Sequence, residues 1–203
     1  MEELGTARME TFSDGVFAIA ATLLVLEIGI GTAADQNLGR ALVDLWPSYL
    51  AYATSFMVIG IIWVNHHDCV ACMDHVDRTM LFINTVFLMV VSFIPFPTKL
   101  VADHLQKDGE HAAVYAYAIT MLGMAILYNA WWGYARHNRR LIGPAVPQSR
   151  VDAISRAFNP GIPLYLLVLA LAVFSPLASI VLTLLLAVFY IPAGALFEHA
   201  SAS

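Results

Sequence analysis

Two carboxylates interrupt the first apolar stretch of the chain. Asp14 and Glu27 enclose 12 uncharged residues, and a helix of that length reaches only roughly 18 Å. Yet the pattern from Phe12 to Ile30 is strongly apolar. Either this segment does not cross a bilayer, or both carboxylates lie within membrane-embedded protein, where an ionisable group faces a cavity or a partner. A second group, Trp63, His66 and His67, is spaced i, i+3, i+4 and so shares one helix face. Imidazoles there could fasten helices by hydrogen bonds or sense protons, since histidine titrates near neutrality. A third group runs His66-His67-Asp68-Cys69-Val70-Ala71-Cys72-Met73-Asp74-His75. Its cysteines, two residues apart and flanked by histidines, have metal-ligand spacing, which makes Cys69, Cys72 and His75 the ligands to test. With no second cysteine pair in the chain, incidental polar residues in a short hairpin explain the same stretch, and no cofactor is expected. Gly-x-Ser-x-Gly, a phosphate-cradling loop and His-Glu-x-x-His are all absent, so no enzyme is expected.

Composition says what scaffold must position these residues. Of 203 residues, 60% are hydrophobic and only 12% charged, with a mean hydropathy of +0.72. So few charges cannot coat a soluble surface, and a polytopic, all-α integral membrane protein is expected. A disordered chain, a disulfide scaffold and a nucleic-acid binder are excluded. The net charge of −5 leaves no basic surface for a polyanion. Charge-free runs cover 45–65, 79–98 and 112–135, each long enough to cross about 30 Å of hydrocarbon. The run 157–197 holds 41 residues; as one helix it would reach roughly 60 Å. Ser175-Pro176 near its middle splits it into two helices.

Six spans follow, at 8–30, 44–65, 78–100, 111–136, 158–174 and 177–197, forming one domain over 1–203 with no internal repeat. The first span lacks the basic leader of a signal peptide. Six crossings put both termini on one side. With that side inside, the inner segments hold Arg8, Arg78, Arg136, Arg139, Arg140, Arg150 and Arg156, against Arg40, Lys99 and Lys107 outside. This asymmetry follows the positive-inside rule and makes the termini cytoplasmic. Trp131, Trp132 and Tyr134 before Arg136 read as an inner interfacial belt contacting lipid.

On the first span, at 100° per residue, Leu23, Leu26, Ile30, Gly15 and Thr22 fall within about 60° of Ile19. Ser13 and Asp14 lie on the far side, and Glu27 flanks the stripe near the outer end. The stripe reads either as helix packing or as a functional surface. Antiparallel geometry brings Ser13 and Asp14 to the depth of Trp63 and His66, and Asn84 lies within reach. A hydrogen-bond network among them would satisfy these groups as a lock between helices; proton sensing through His66 is the other reading.

These residues carry a resemblance. Arg8-Met9-Glu10-Thr11-Phe12-Ser13-Asp14, followed by Thr22-Leu23-Leu24-Val25-Leu26-Glu27, resembles the first helix of the transmembrane protein 175 family of potassium channels. Ser55-Phe56, Trp63-Val64-Asn65-His66-His67, Asn84 and Ser92-Phe93-Ile94-Pro95-Phe96-Pro97-Thr98 extend it. The resemblance implies a single-repeat prokaryotic member in the cell membrane, a homotetramer with the first helix of each copy lining a central pore. It implies passive potassium conduction, with potassium as the permeating ion and the chain itself, lipid and potassium as partners. Ile19 would be the main constriction, Leu23 and Leu26 outer layers, and Thr22 their polar neighbour. Arg8, Phe12, Ser13, Asp14, Trp63, His66 and Asn84 would form the motif network. Glu27 reads either as an acidic ring at the outer mouth or as a solvated helix end. The alternative function is a proton-coupled transporter using Asp14 and His66.

Overall fold

The first apolar stretch folds as α1 (Ala7–Leu23) and tightens into a 3₁₀ turn, Leu24–Glu27. The helix stops at Ile28, where ψ of 88° leaves the helical region. The computed structural model describes residues 5–29 and 37–200, with side chains as far as Tyr190; Ile30, the last residue of the predicted stripe, lies outside the described residues.

A short helix, α2 (Leu38–Asp44), occupies what the sequence left as loop, capped by the Asn37 side chain accepting from the Arg40 N–H. Leu45 then breaks the helix, and Pro47 starts the next turn, where a missing N–H costs nothing. The second span is α3 (Trp46–Val70). It continues past the predicted end at 65, so His66, His67 and Cys69 are helical rather than hairpin residues.

The third predicted span, 78–100, is not one straight helix. α4 (Arg78–Phe93) ends at Ile94, and α5 (Pro95–His104) starts afresh. Pro95 and Pro97 supply no N–H to the ladder, and the Pro95 ring clashes with the carbonyl four residues earlier. The Ile94 N–H is drawn back to the Val91 carbonyl at 3.2 Å.

α6 (Glu110–Arg136) fits its predicted limits and is the most enclosed of the spanning helices. It packs against α4, α5 and α8 (Gly161–Phe174). Trp131 and Trp132 are fully buried along it, which corrects the interfacial belt: Trp132 Nε1 donates to Ser155 Oγ at 3.0 Å instead of meeting headgroups. Ser155 belongs to α7 (Gln148–Phe158), a helix in the predicted 137–157 loop. Its Val151 and Ile154 are buried and its Asp152 and Arg156 exposed. Asn159-Pro160 separates α7 from α8. Ser175 is extended before α9 (Pro176–Ala200), at the predicted break.

Among the described residues, five stretches are long and apolar enough to cross a membrane, and the described apolar part of α9, Pro176–Tyr190, is shorter. The chain is thus an all-helical, multi-pass membrane protein. Leu166, Leu167, Val181, Leu185 and Phe189 are exposed on α8 and α9, as hydrocarbon-facing residues should be, since lipid tails are as apolar as leucine.

The start of α4 is fastened to the end of α6 by a clamp. Asp77 caps α4 by accepting from the Met80 N–H at 2.8 Å, and its other oxygen accepts from the Tyr134 hydroxyl at 2.7 Å. Arg140 donates to the same hydroxyl and lies over the Tyr134 ring. Burial works to raise the Asp77 pKa, but Tyr134, the cap and Arg140 outweigh it and hold the carboxyl below its ordinary value. A lowered folded-state pKa means the clamp stabilises above the unfolded-state pKa and weakens as pH falls through the folded one. Asp77→Ala should therefore destabilise the detergent-solubilised protein by about 0.5–2 kcal/mol at neutral pH. Thermal unfolding of both proteins should show that gap closing below about pH 4.

Candidate functional site

α1 presents two contrasting faces. Met9, Ser13, Phe17, Ala20 and Leu24 are buried, recurring at the three- and four-residue steps of one packed face. Phe12, Ile19, Leu23 and Leu26 are exposed along a second face, Ile19 by 62% and Leu26 by 73%. Thr22 is on the same side, and its hydroxyl donates to the Ala18 and Ile19 carbonyls at 2.9 and 3.0 Å. With its proton given to the backbone, the Thr22 oxygen is left with acceptor capacity only.

The packed face meets a polar string. Ser13 Oγ donates to the Met9 carbonyl at 2.8 Å and accepts from Asn84 Nδ2 at 3.0 Å. Asn84 Oδ1 lies 3.0 Å from His66 Nε2. Because the amide oxygen only accepts, His66 must carry its proton on Nε2, and a neutral ring suffices. All three residues are buried. The His66 ring stacks on Phe87 at 5.8 Å, meets Phe17 at 5.6 Å and sits 4.8 Å from Trp131. One histidine therefore joins α1, α3, α4 and α6.

Asp14 is not part of this string. Its Oδ1 accepts from Trp63 Nε1 at 2.8 Å, and Trp63 is half-exposed on α3. The structure thus holds two separate contacts where one network was expected, because Ser13 and Asp14 point about 100° apart around α1. A third contact, Glu10 Oε1 to His67 Nδ1 at 2.9 Å, links the same two helices and was missed in the sequence. Arg8 and Phe12 are drawn into none of these hydrogen bonds; both are exposed.

The C-terminal end of α1 also differs from expectation. Glu27 is neither a free carboxylate nor simply solvated: Lys99 Nζ lies 3.7 Å from its Oε2 and 3.3 Å from Asp103 Oδ2. The predicted topology puts both at the same end of their spans, but nothing in the sequence paired them. Deeper, Ser55 Oγ shares hydrogen bonds with Thr98 Oγ1 at 2.7 Å and the Tyr117 hydroxyl at 3.1 Å, tying α3, α5 and α6.

The metal candidates do not converge. Cys69 Sγ pairs with the Tyr128 hydroxyl at 3.3 Å and Cys72 Sγ with the Asp68 carbonyl at 3.4 Å. Among the described residues no group of three acidic, histidine or cysteine side chains could hold a metal ion. Cys69 sits in the last turn of α3 and Cys72 in the turn that follows, each with its own partner. Burial also lifts the Cys72 thiol above its ordinary pKa despite Arg150, which disfavours the thiolate a metal needs. Backbone contacts occupy the turn instead: Asp74 N–H donates to the Leu141 carbonyl and Gly143 N–H to that of Cys72.

The chain is similar to known proteins. The family described as endosomal/lysosomal potassium channel TMEM175 matches residues 8–95. A potassium channel of Chamaesiphon minutus is 40% identical over 192 residues, 93% of this chain and 95% of that protein. A potassium channel of Streptomyces collinus is 41% identical over 192 residues, 94% of this chain and 92% of that one. The crystal structure of a lysosomal potassium-selective channel TMEM175 homolog from Chamaesiphon minutus superposes with a TM-score of 0.84 at 38% identity. It covers 93% of this chain and 97% of its own.

The polar string predicts an order of mutational cost. Asn84→Ala strands both His66 Nε2 and Ser13, and should cost about 1–3 kcal/mol for each group left unsatisfied. Ser13→Ala removes one acceptor and should cost less. Thermal unfolding in one detergent, with both variants side by side, checks the ranking.

Proposed function

The chain belongs to the TMEM175 family, and on that premise we propose that it is a passive potassium channel. Four copies surround a common axis, α1 of each lining the pore, with the whole chain acting as one six-span unit. The observation carrying this reading is the exposed Phe12, Ile19, Leu23 and Leu26 stripe on a helix whose other face is packed. That stripe also bears Arg8 and Thr22, which suit water and ions better than lipid.

Rings of isoleucine and leucine make a narrow constriction that dewets readily. A cation entering it gives up much of its water, so the ion that holds water less tightly passes more easily. That favours potassium over sodium without a carbonyl filter. Thr22, with its hydroxyl proton committed to the backbone, offers an oxygen to a cation and no proton to an anion. The polar string of Ser13, Asn84 and His66 and the Asp14–Trp63 contact keep α1 in register; they bind no ion.

The relatives are channels rather than enzymes. We place this chain in a prokaryotic cell membrane, termini in the cytoplasm, because Arg8, Arg78, Arg136, Arg139, Arg140, Arg150 and Arg156 fall on that side. Proton-coupled transport through an Asp14/His66 pair has less support, because each of the two has its own partner: Trp63 for Asp14, Asn84 for His66.

Purified protein in a planar bilayer should pass potassium current whose reversal potential shifts under a potassium/sodium gradient. Silence from correctly assembled protein would sink the proposal. Ile19→Asn should wet and widen the constriction and bring the potassium-to-sodium permeability ratio toward one. An unchanged ratio would place the filter elsewhere on α1.

A further inference from the structure

Glu27 closes the 3₁₀ turn that ends α1, and its side chain is only 25% exposed. The side chain facing it is Lys99, on the first turns of α5. The Pro95 break restarts the third span just below this point. Lys99 therefore stands one turn beyond the kink, between the end of α1 and Asp103, its partner four residues on. Lys107 turns its ammonium to the Asp103 backbone carbonyl at 2.9 Å, so among the described residues Lys99 is the cation that pairs with Glu27. Within the cluster of Glu27, Lys99 and Asp103, two carboxylates and one ammonium leave one net negative charge.

We propose that Lys99 sets the charge of the outer mouth, and through it the rate at which cations enter the pore. The inference rests on the channel reading above. Glu27 alone would attract cations; Lys99 cancels it and leaves Asp103 to supply the remaining negative charge. Removing Lys99 adds one negative charge at the mouth of every copy, and removing Glu27 takes one away. Removing both returns the charge to the wild-type value. With Lys99 half-exposed and 3.7 Å away, the pair adds little to stability, but its field reaches entering ions over a distance set by salt. The screening length is about 30 Å at 0.01 M and about 3 Å at 1 M.

The experiment is single-channel conductance in symmetrical potassium chloride at about 0.01 M and about 1 M, where mouth charges are respectively unscreened and screened. Lys99→Met should raise conductance roughly twofold or more at the low concentration and leave it unchanged at the high one. Glu27→Gln should lower it at low salt only. The double variant Glu27→Gln/Lys99→Met should return to the wild-type low-salt value, and Lys99→Arg should rescue it. The reversal potential under a potassium/sodium gradient should not move, because the Ile19 layer is untouched. Conductance lost equally at both salt concentrations, additive losses in the double variant, or a low-salt value unaffected by Lys99→Met would each overturn the inference while the wild type still conducts. A wild type that passes no potassium overturns the channel reading itself.

Discussion

A primary amide in hydrocarbon has no water to fall back on, so each of its polar atoms must find a protein partner. Asn84 is in that position, buried on α4. Its nitrogen donates to Ser13 on α1 and its oxygen meets His66 on α3. The consequence reaches well beyond the bonds themselves. A helix is stiff about its own axis, so fixing Ser13 against α4 also fixes Ile19, six residues on and about 120° around. The polar string therefore aims the apolar stripe. Phe17, one turn above Ser13, adds ring contacts with His66 and Phe87 on the same side, and α1 has no freedom to roll.

The two kinds of surface on α1 have different physical origins. Helices in a bilayer gain little by hiding leucine from lipid, and association rests on close packing and hydrogen bonds. The packed face has both: small Ala20, Ser13 with its bonds, and the aromatic contacts of Phe17. The stripe has neither within one chain, and its large apolar residues remain open. That division separates the residues that hold α1 from those left open within one chain. The outer end repeats the pattern in charges, with Lys99 compensating Glu27 instead of leaving it bare.

Much of this was legible in the residues. Periodicity separated Ile19, Leu23 and Leu26 from Ser13 and Asp14, and antiparallel topology brought Ser13 to the depth of His66. Other features were not. The third span reads as one apolar run, but Pro95 and Pro97 break its backbone ladder, and hydropathy is blind to a missing N–H. The stretch 148–158 looks like loop because its charges dilute the apolar positions; Val151 and Ile154 become a buried edge only once α6 is there to receive them. Trp131 and Trp132 beside arginines resemble an interfacial belt, yet α3, α4 and α7 enclose them. The cysteines have metal-like spacing, but α3 runs one turn further than its apolar run, and Cys69 and Cys72 each take a different partner, Tyr128 and the Asp68 carbonyl.

By itself, then, the chain's order of residues determined the membrane as solvent and the angular separation of stripe and polar residues on α1. Those depend on transfer energies and on 100° per residue, which are local properties. Only the tertiary structure decided which polar groups met. Asn84 went to Ser13 and His66 while Asp14 went to Trp63, and Lys99 went to Glu27. A hydrogen bond is satisfied or lost within a few tenths of an ångström, and that precision comes from how whole helices pack, which no spacing along the chain encodes.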